Sequence, residues 1–179
     1  TYVGNISAIY AYDGKVTING GHFSIQQKKD DGDPYRFTLN CYDSNYKADS
    51  AGFTVNGGTF ENFDPRNNKA EGAGTSFVAE GVGVNNENGN FVAKANMLVQ
   101  LVDAEGNSVA AYDNLDYAFY HAQDEKNPTL IVLQDIVDSD PVSITATNTT
   151  DSITLDLNGH NISFVENEWS AIWSGFNIQ

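Results

Sequence analysis

The residues best suited to chemistry are three aspartates in one polar stretch, Asp30, Asp31 and Asp33. Carboxylates bind hard cations such as Ca²⁺, and they also act as general acids and bases in the cleavage of acidic polysaccharides. These three do not follow the full spacing of a calcium-binding loop, and Lys28 and Lys29 precede them. Solvated loop charge is therefore the preferred interpretation. The sequence predicts no metal site and no cofactor, with Ca²⁺ at this stretch as the alternative.

The remaining reactive side chains do not form a catalytic pattern. His22, His121 and His160 are scattered, and no His-x-His or Glu-x-x-His pair suggests a metal site. Cys41 is the only cysteine, so neither an intrachain disulfide nor a thiolate metal cage can form, and no histidine is placed to activate it. The sequence therefore predicts no catalytic residues.

Tyrosines near two polar stretches are the candidates for ligand binding. Tyr35, Tyr42 and Tyr46 can stack on sugar rings, which an acidic β surface uses to hold glycans. The competing interpretation is that these rings pack within the protein. A glycan contact at Tyr35, Tyr42 and Tyr46 is retained as a hypothesis.

The charge limits the partners that this chain can have. Its 179 residues include 24 acidic and 9 basic side chains, which gives a formal charge of −15. No basic cluster larger than Lys28-Lys29 offers a surface for phosphates, so nucleic acid is not an expected partner. No apolar run has the length of a membrane span, so membrane insertion is not expected either.

A repeated motif predicts the elements that position these residues. Val16 to Phe23 reads Val-Thr-Ile-Asn-Gly-Gly-His-Phe, and it returns 37 residues later as Phe53 to Phe60, Phe-Thr-Val-Asn-Gly-Gly-Thr-Phe. Leu155 to Phe164 is a weaker third copy. Alternating apolar residues followed by Asn-Gly predict a strand, a corner and a second strand. Repeats of this length are typical of stacked coils that bury their apolar faces against one another.

Two other regions interrupt the repeat. Residues 63–92 carry irregular loops with aromatic residues, as a terminal cap does, and at Met97 an alternating pattern starts again. One helix follows, capped by Asp113 or Asn114. Its predicted buried face consists of Leu115, Ala118, Phe119 and Ala122.

These motifs resemble a known group of proteins. Leu98 to Ser163, with its strand, its helix and Leu155-Asp-Leu-Asn-Gly-His160, resembles the opening of pectate-lyase-like right-handed parallel β-helices of bacterial surface proteins and phage tail spikes and fibres. Asn19 to Phe23 and Asn56 to Phe60 resemble their last coils. The resemblance implies an all-β right-handed parallel β-helix, a solenoid with one short capping α-helix. It does not imply one chemistry, because lyases, hydrolases, adhesins and fibres share this fold.

The order of the motifs is reversed relative to that group. Residues 1–93 resemble the terminal coils and closing segment of a β-helix, and residues 94–179 resemble the cap and first coils of another. Either the chain is a segment of a longer tandem array, or a second copy completes its open end. Ser7-Ala8-Ile9-Tyr10 and Ser170-Ala171-Ile172-Trp173 share a pattern of two small residues, isoleucine and an aromatic residue. The expected self-association edges are Ser7, Ala8, Ile9, Tyr10, Trp169, Ile172, Trp173 and Phe176.

The preferred functional hypothesis is a non-enzymatic structural or adhesive protein that stacks end to end as a fibre subunit or stalk segment. Its expected location is extracellular, on a bacterial cell surface or a virion, and its expected partners are further copies of itself and a surface glycan or host receptor. The alternatives are a polysaccharide-degrading lyase or glycoside hydrolase, and a glycan-binding module.

Overall fold

The computed structural model describes residues 6–25, 37–138, 142–144, 152–165 and 175–178. The chain divides into two compact units, Thr1–Ala95, called unit 1, and Asn96–Gln179, called unit 2. The expected origin of segments 1–93 and 94–179, as the end of one repeat structure and the start of another, stays a prediction.

Unit 1 contains eight described strands and one helix. They are β1 (Ile9–Ala11), β2 (Gly14–Ile18), β3 (His22–Phe23), β4 (Leu39–Cys41), α1 (Asp43–Lys47), β5 (Ala51–Val55), β6 (Gly58–Glu61), β7 (Gly83–Glu87) and β8 (Asn90–Lys94). The repeated motif pairs with itself in parallel, so that Val16 lies beside Phe53 and Ile18 beside Val55. β1 pairs with β4 and β3 with β6, also in parallel. Alternate side chains of these strands meet in one apolar core that includes Leu39, Val55 and Phe60.

Unit 2 contains eight described strands and one helix. They are β9 (Val99–Val102), β10 (Ser108–Tyr112), α2 (Leu115–Ala122), β11 (Thr129–Val132), β12 (Ile136–Asp138), β13 (Val142–Ile144), β14 (Thr154–Asp156), β15 (Ile162–Phe164) and β16 (Phe176–Ile178). β9 pairs antiparallel with both β10 and β11. Three parallel pairs follow, β11 with β14, β12 with β15 and β13 with β16. Val99, Leu101, Leu130 and Val132 lie in the core of this unit.

The expected right-handed parallel β-helix is wrong. The described strands form six small sheets of two or four strands, two of which combine parallel and antiparallel pairs, and they form no continuous solenoid. In unit 1 the parallel repeat stops after one pairing because the next neighbour of β6 is the antiparallel strand β8. β8 belongs to a hairpin with β7, whose turn places Asn88 and Gly89 at φ 55° and 87°. That hairpin occupies the sheet edge that another parallel strand would need.

The two helices differ in how far the sequence reveals them. In α2, Asn114 Oδ1 accepts a hydrogen bond from the Tyr117 N–H at 2.7 Å, and the buried residues are Leu115, Ala118, Phe119 and Ala122. The prediction of this helix and of its buried face is confirmed. The expectation of a single helix is wrong, because Asp43–Lys47 forms α1. No residue of α1 is buried, so no apolar period marks it in the sequence.

Candidate functional site

Several predicted site residues lie outside the described residues. They are Asp30, Asp31, Asp33, Tyr35, Trp169, Ile172 and Trp173. The calcium alternative, the carboxylates of the polysaccharide-cleaving alternative and part of one expected edge fall on these residues and stay predictions.

Ser7, Ala8, Ile9 and Tyr10 lie at the start of unit 1, where β1 is an edge strand. Within the described chain, β1, β2 and β3 each pair on one side only, with β4, β5 and β6. Ile9 packs partly against the core, whereas 53% of Tyr10 is exposed. The three strands together form an edge that we call the N-edge.

The backbone hydrogen bonds show which residues have N–H and carbonyl groups that face the open side of the N-edge. The Gly14 N–H donates to the Ser50 carbonyl at 2.7 Å, and the Ile18 carbonyl accepts from the Asn56 N–H at 2.8 Å. Backbone groups in a parallel pair alternate in direction along the strand, so those of Lys15 and Thr17 face away from β5. Their side chains are exposed. The N-edge therefore presents the backbone groups of outward-facing residues.

Unit 2 has a corresponding edge, which we call the C-edge. Among the described strands, β14, β15 and β16 each pair on one side only, with β11, β12 and β13. The Thr154 N–H donates to the Pro128 carbonyl at 3.0 Å, so the backbone groups of Thr154 and Asp156 face β11 and those of Leu155 face the open side. Leu155, Ile162, Phe164 and Phe176 pack partly against the core of the unit. The C-edge therefore presents the backbone groups of inward-facing residues.

Other groups cover part of the opposite side of each unit. In unit 1 the Cys41 N–H donates to Glu71 Oε1 at 2.6 Å, the Val55 N–H donates to the Phe77 carbonyl at 2.8 Å, and β8 covers β6. In unit 2 the Ser143 N–H of β13 donates to Asp116 Oδ1 of α2 at 3.1 Å. These contacts satisfy strand donors that another strand would otherwise bond, whereas β7 and β10 are further edge strands among the described sheets.

Side-chain pairs run across the parallel strands of unit 1 and end at the N-edge. Asn56 Nδ2 donates to Asn19 Oδ1 at 2.8 Å. The rings of Phe60 and Phe23 stack with centroids 5.1 Å apart. Tyr42 stacks on Tyr12 with centroids 5.0 Å apart and an interplanar angle of 18°. Each pair joins equivalent positions of neighbouring strands and leaves one member, Asn19, Phe23 or Tyr12, at the edge.

The structure separates the two described tyrosines of the glycan hypothesis. Tyr42 is exposed and, with Tyr12, forms an aromatic surface. Tyr46 lies edge-on to Phe77 with centroids 6.4 Å apart, and burial, followed by the charge of Glu71, raises the pKa of its hydroxyl. Tyr12 is missing from the sequence prediction, although its position one residue beyond β1 would have placed it opposite Tyr42.

A second aromatic surface lies on unit 2 and has no counterpart in the sequence prediction. Tyr112, Tyr117, Tyr120 and His121 are in continuous ring contact, with the centroids of Tyr117 and His121 4.5 Å apart. Tyr117 and Tyr120 are exposed. A three-residue spacing on a helix brings them together, and that spacing was the available signal.

The reactive groups of the described residues include Cys41 and His160. Burial, followed by the charge of Glu71, raises the pKa of the Cys41 thiol to about 12, so it is protonated at neutral pH and is a poor nucleophile. No group of three or more His, Cys, Asp and Glu within these residues is placed to hold a metal ion. His160 Nδ1 lies 3.7 Å from Asp135 Oδ1 at the corner before β15, and the same oxygen accepts hydrogen bonds from the N–H and Nδ2 of Asn161.

No helix in the described part of the chain combines the length and the apolar character of a membrane span. No protein-family model, no curated protein and no solved structure matches this chain. The resemblance to pectate-lyase-like repeats therefore stays a prediction that depends on its motifs alone.

Proposed function

We propose that this is a non-enzymatic extracellular structural protein whose copies join end to end, the C-edge of one copy pairing with the N-edge of the next, to form a fibre or stalk. An extracellular position on a bacterial surface or a virion accords with the single cysteine and the acidic composition. The proposal depends on the two edges and on their complementarity.

The complementarity of the edges is the observation that carries the proposal. In the parallel pairs of both units, the strand that comes earlier in the chain bonds through the backbone groups of its inward-facing residues. The later strand bonds through the backbone groups of its outward-facing residues. Ile18 on β2 is an inward-facing residue that bonds to β5 in this way. The C-edge has free backbone groups on an inward-facing residue, Leu155, as the earlier strand of such a pair does. The N-edge has free backbone groups on two outward-facing residues, Lys15 and Thr17, as the later strand does. A C-edge on an N-edge therefore continues the pairing that each unit already contains.

The apolar side chains at the C-edge also favour a covering strand. Leu157 follows β14 and is 45% exposed, and Ile153 and Leu155 are only partly buried. Leu130, which has a strand on both sides, is fully buried, and so is Val55, which lies between β2 and an isolated bridge to Val78. Burying apolar surface contributes about 25 cal/mol per Å², so a strand laid over this edge is stabilised by more than its hydrogen bonds.

The contact is heterologous, since it joins two different surfaces. Contacts of this kind propagate into filaments unless the rotation between copies closes a ring. Three short strands on each edge are also a template for pairing with another chain. Length and stiffness, rather than turnover, are what such an assembly supplies.

Electron microscopy and light scattering of the purified chain test the proposal, with Thr17→Pro as the critical variant. Proline removes the N–H of Thr17, which faces the open side, and is tolerated on an edge strand because that N–H bonds no other strand of the unit. Wild-type protein is expected to form filaments, and Thr17→Pro is expected to remain as single particles with an unchanged circular dichroism spectrum.

Thr17→Ala is the matched control, because it removes the same side chain but keeps the N–H, and it is expected to assemble like the wild type. Monodisperse wild-type particles at high protein concentration would overturn the proposal. Filaments of Thr17→Pro equal to those of the wild type would show that another surface joins the copies.

A glycan-binding module is a second candidate, favoured by the exposed aromatic surfaces at Tyr12 with Tyr42 and at Tyr117 with Tyr120. Tyrosine rings stack on the apolar faces of sugars, and the hydroxyl can bond at the rim. Calorimetric titration with oligosaccharides tests it. Saturable binding that Tyr12→Ala or Tyr120→Ala abolishes supports this candidate, and heats equal to those of dilution for all sugars would rule it out.

A further inference from the structure

Pairing in unit 1 keeps equivalent residues side by side. β2 and β5 align Val16 with Phe53, Thr17 with Thr54 and Ile18 with Val55, and the amides of Asn19 and Asn56 bond to each other directly after them. Since successive side chains of a strand point to opposite faces, a shift of one residue would expose the apolar set. The sequence of the motif therefore determines the register in which its two copies pair.

The end of β14 carries the same motif. Leu155-Asp-Leu-Asn158-Gly matches Val16-Thr-Ile-Asn19-Gly residue for residue in apolar and polar character, without a gap. Leu155 is partly buried and Asp156 is exposed, as are Val16 and Thr17 respectively. β14 lies on the C-edge and β2 lies on the N-edge.

A more specific inference about the contact between the two edges rests on the proposed function. We infer that β2 of one copy lies parallel to β14 of the preceding copy in a single register, with Val16 beside Leu155, Thr17 beside Asp156, and Asn19 beside Asn158. The partner is thus a second copy of this chain, and the aligned asparagines fix the register.

The backbone groups agree with this register. With Leu155 beside Val16, the Leu155 N–H faces the Lys15 carbonyl, and the Leu155 carbonyl faces the Thr17 N–H. These are the groups that β11 and β5 leave unused within each unit. A shift by one residue would instead oppose backbone groups that are already bonded. A shift by two residues keeps the backbone bonds but separates the asparagines.

The asparagine amides distinguish the proposed register from the two-residue shifts. Asn19 Oδ1 accepts from Asn56, and within the described residues its Nδ2 donates to no other group. Asn158 Nδ2 donates to the Val132 carbonyl at 3.2 Å, and its Oδ1 accepts no hydrogen bond from the described residues. In the proposed register Asn19 Nδ2 donates to Asn158 Oδ1, which repeats the direction of the bond from Asn56 to Asn19. The same register lays Ile18 over the exposed Leu157.

Disulfide crosslinking between copies tests the register. The side chains of Lys15, Thr17, Thr154 and Asp156 are exposed on the outward faces of their strands. Each test mixes two single-cysteine variants, one from each edge, under mild oxidation. Aligned residues of neighbouring strands lie within the Cα separation that a disulfide needs, and residues shifted by two lie at or beyond its limit. Cys41 is buried and gives little background, and each variant oxidised alone measures that background.

The expected result is a shift from monomer to dimer for Thr17→Cys with Asp156→Cys and for Lys15→Cys with Thr154→Cys, reversed by reductant. The crossed mixtures, Thr17→Cys with Thr154→Cys and Lys15→Cys with Asp156→Cys, are the matched controls and are expected to remain monomeric. Crosslinking of a crossed mixture would replace this register by a shifted one. Filaments without any crosslink would overturn the register and leave the proposed function standing, whereas neither filaments nor crosslinks would overturn both.

Discussion

Among single residues, Glu71 has the environment with the clearest energetic consequence. Its Oε1 accepts the Cys41 N–H on the closed side of β4, while Oε2 is buried without a hydrogen-bond partner among the described residues. Burial raises the pKa of this carboxyl, the bond from Cys41 opposes the shift, and the nearby Asp43 adds to it. Relative to the unfolded chain, folding therefore shifts Glu71 towards its protonated form.

Glu71→Gln is expected to remove part of the pH dependence of stability. A carboxyl whose pKa is raised on folding stabilises the fold fully below its unfolded value, here 4.5, and that contribution is lost as the pH rises towards the folded pKa. The free energy of unfolding of the wild type, measured by urea denaturation, should therefore fall relative to that of Glu71→Gln as the pH rises above 4.5.

Glu87→Gln is the control for this comparison, because Glu87 is an exposed carboxyl at the end of β7. Its stability should follow that of the wild type across the same pH range. A difference between wild type and Glu71→Gln that stays constant with pH would contradict the assigned shift.

At the scale of the elements, the Asn-Gly-Gly corners decide whether two strands can approach each other. Gly58 begins β6 at φ 124°, and a Cβ added to it would lie 3.2 Å from the Gly21 carbonyl oxygen. Gly58→Ala is expected to cost about 1–3 kcal/mol of stability, since a backbone conformation that L residues rarely adopt is combined with a close contact.

Gly20→Ala is the control, in the preceding copy of the corner at the position equivalent to Gly57. Gly20 has no atom within 4 Å of an added Cβ and no positive φ. Its stability in urea should stay within about 0.5 kcal/mol of the wild type. Equal losses of stability for both variants would mean that the conformational preference of alanine, rather than the close approach to the Gly21 carbonyl, causes the loss.

The elements also show what the sequence could and could not predict. Alternation in Val16 to Ile18 and Phe53 to Val55 was enough to predict two strands with one buried face, and the Asn114 cap was enough for α2. The local pattern does not determine what lies beside a strand. The antiparallel partner of β6 follows from the turn at Asn88 and Gly89, about 30 residues further along the chain, and it ended the predicted solenoid.

The candidate site was predictable to a similar extent. Ile9 and Tyr10 on the N-edge were identified from a short apolar pattern, and Phe176 was placed at the opposite end. Tyr12 and the cluster around Tyr117 were missed, because exposed aromatic residues have no periodic signal and become a surface only when ring contacts across strands and helix turns are known. Glu71 was missed because its partner, Cys41, lies 30 residues away and no local pattern shows that the two residues are in contact.

At the scale of the whole molecule, net charge opposes the proposed end-to-end assembly. Each copy carries a formal charge of −15, so end-to-end association brings two strongly negative bodies together. Salt screens such repulsion, and the Debye length falls from about 30 Å at 0.01 M to about 8 Å at 0.15 M ionic strength. Backbone hydrogen bonds and apolar contacts between the edges are much less sensitive to this change. Growth of the assembly, followed by light scattering, should therefore increase as NaCl is raised from 0.01 to 0.15 M.

The variant Thr17→Pro separates this effect from nonspecific aggregation, because it carries the same charge but lacks the edge N–H. Its scattering should stay flat over the same range of salt. Assembly of the wild type that weakens with salt would instead show that opposite charges hold the copies together. That outcome would direct attention to exposed basic side chains such as Lys15 at the N-edge and carboxylates such as Asp156 at the C-edge. These side chains lie on the strands that the proposed edge pairing would bring together.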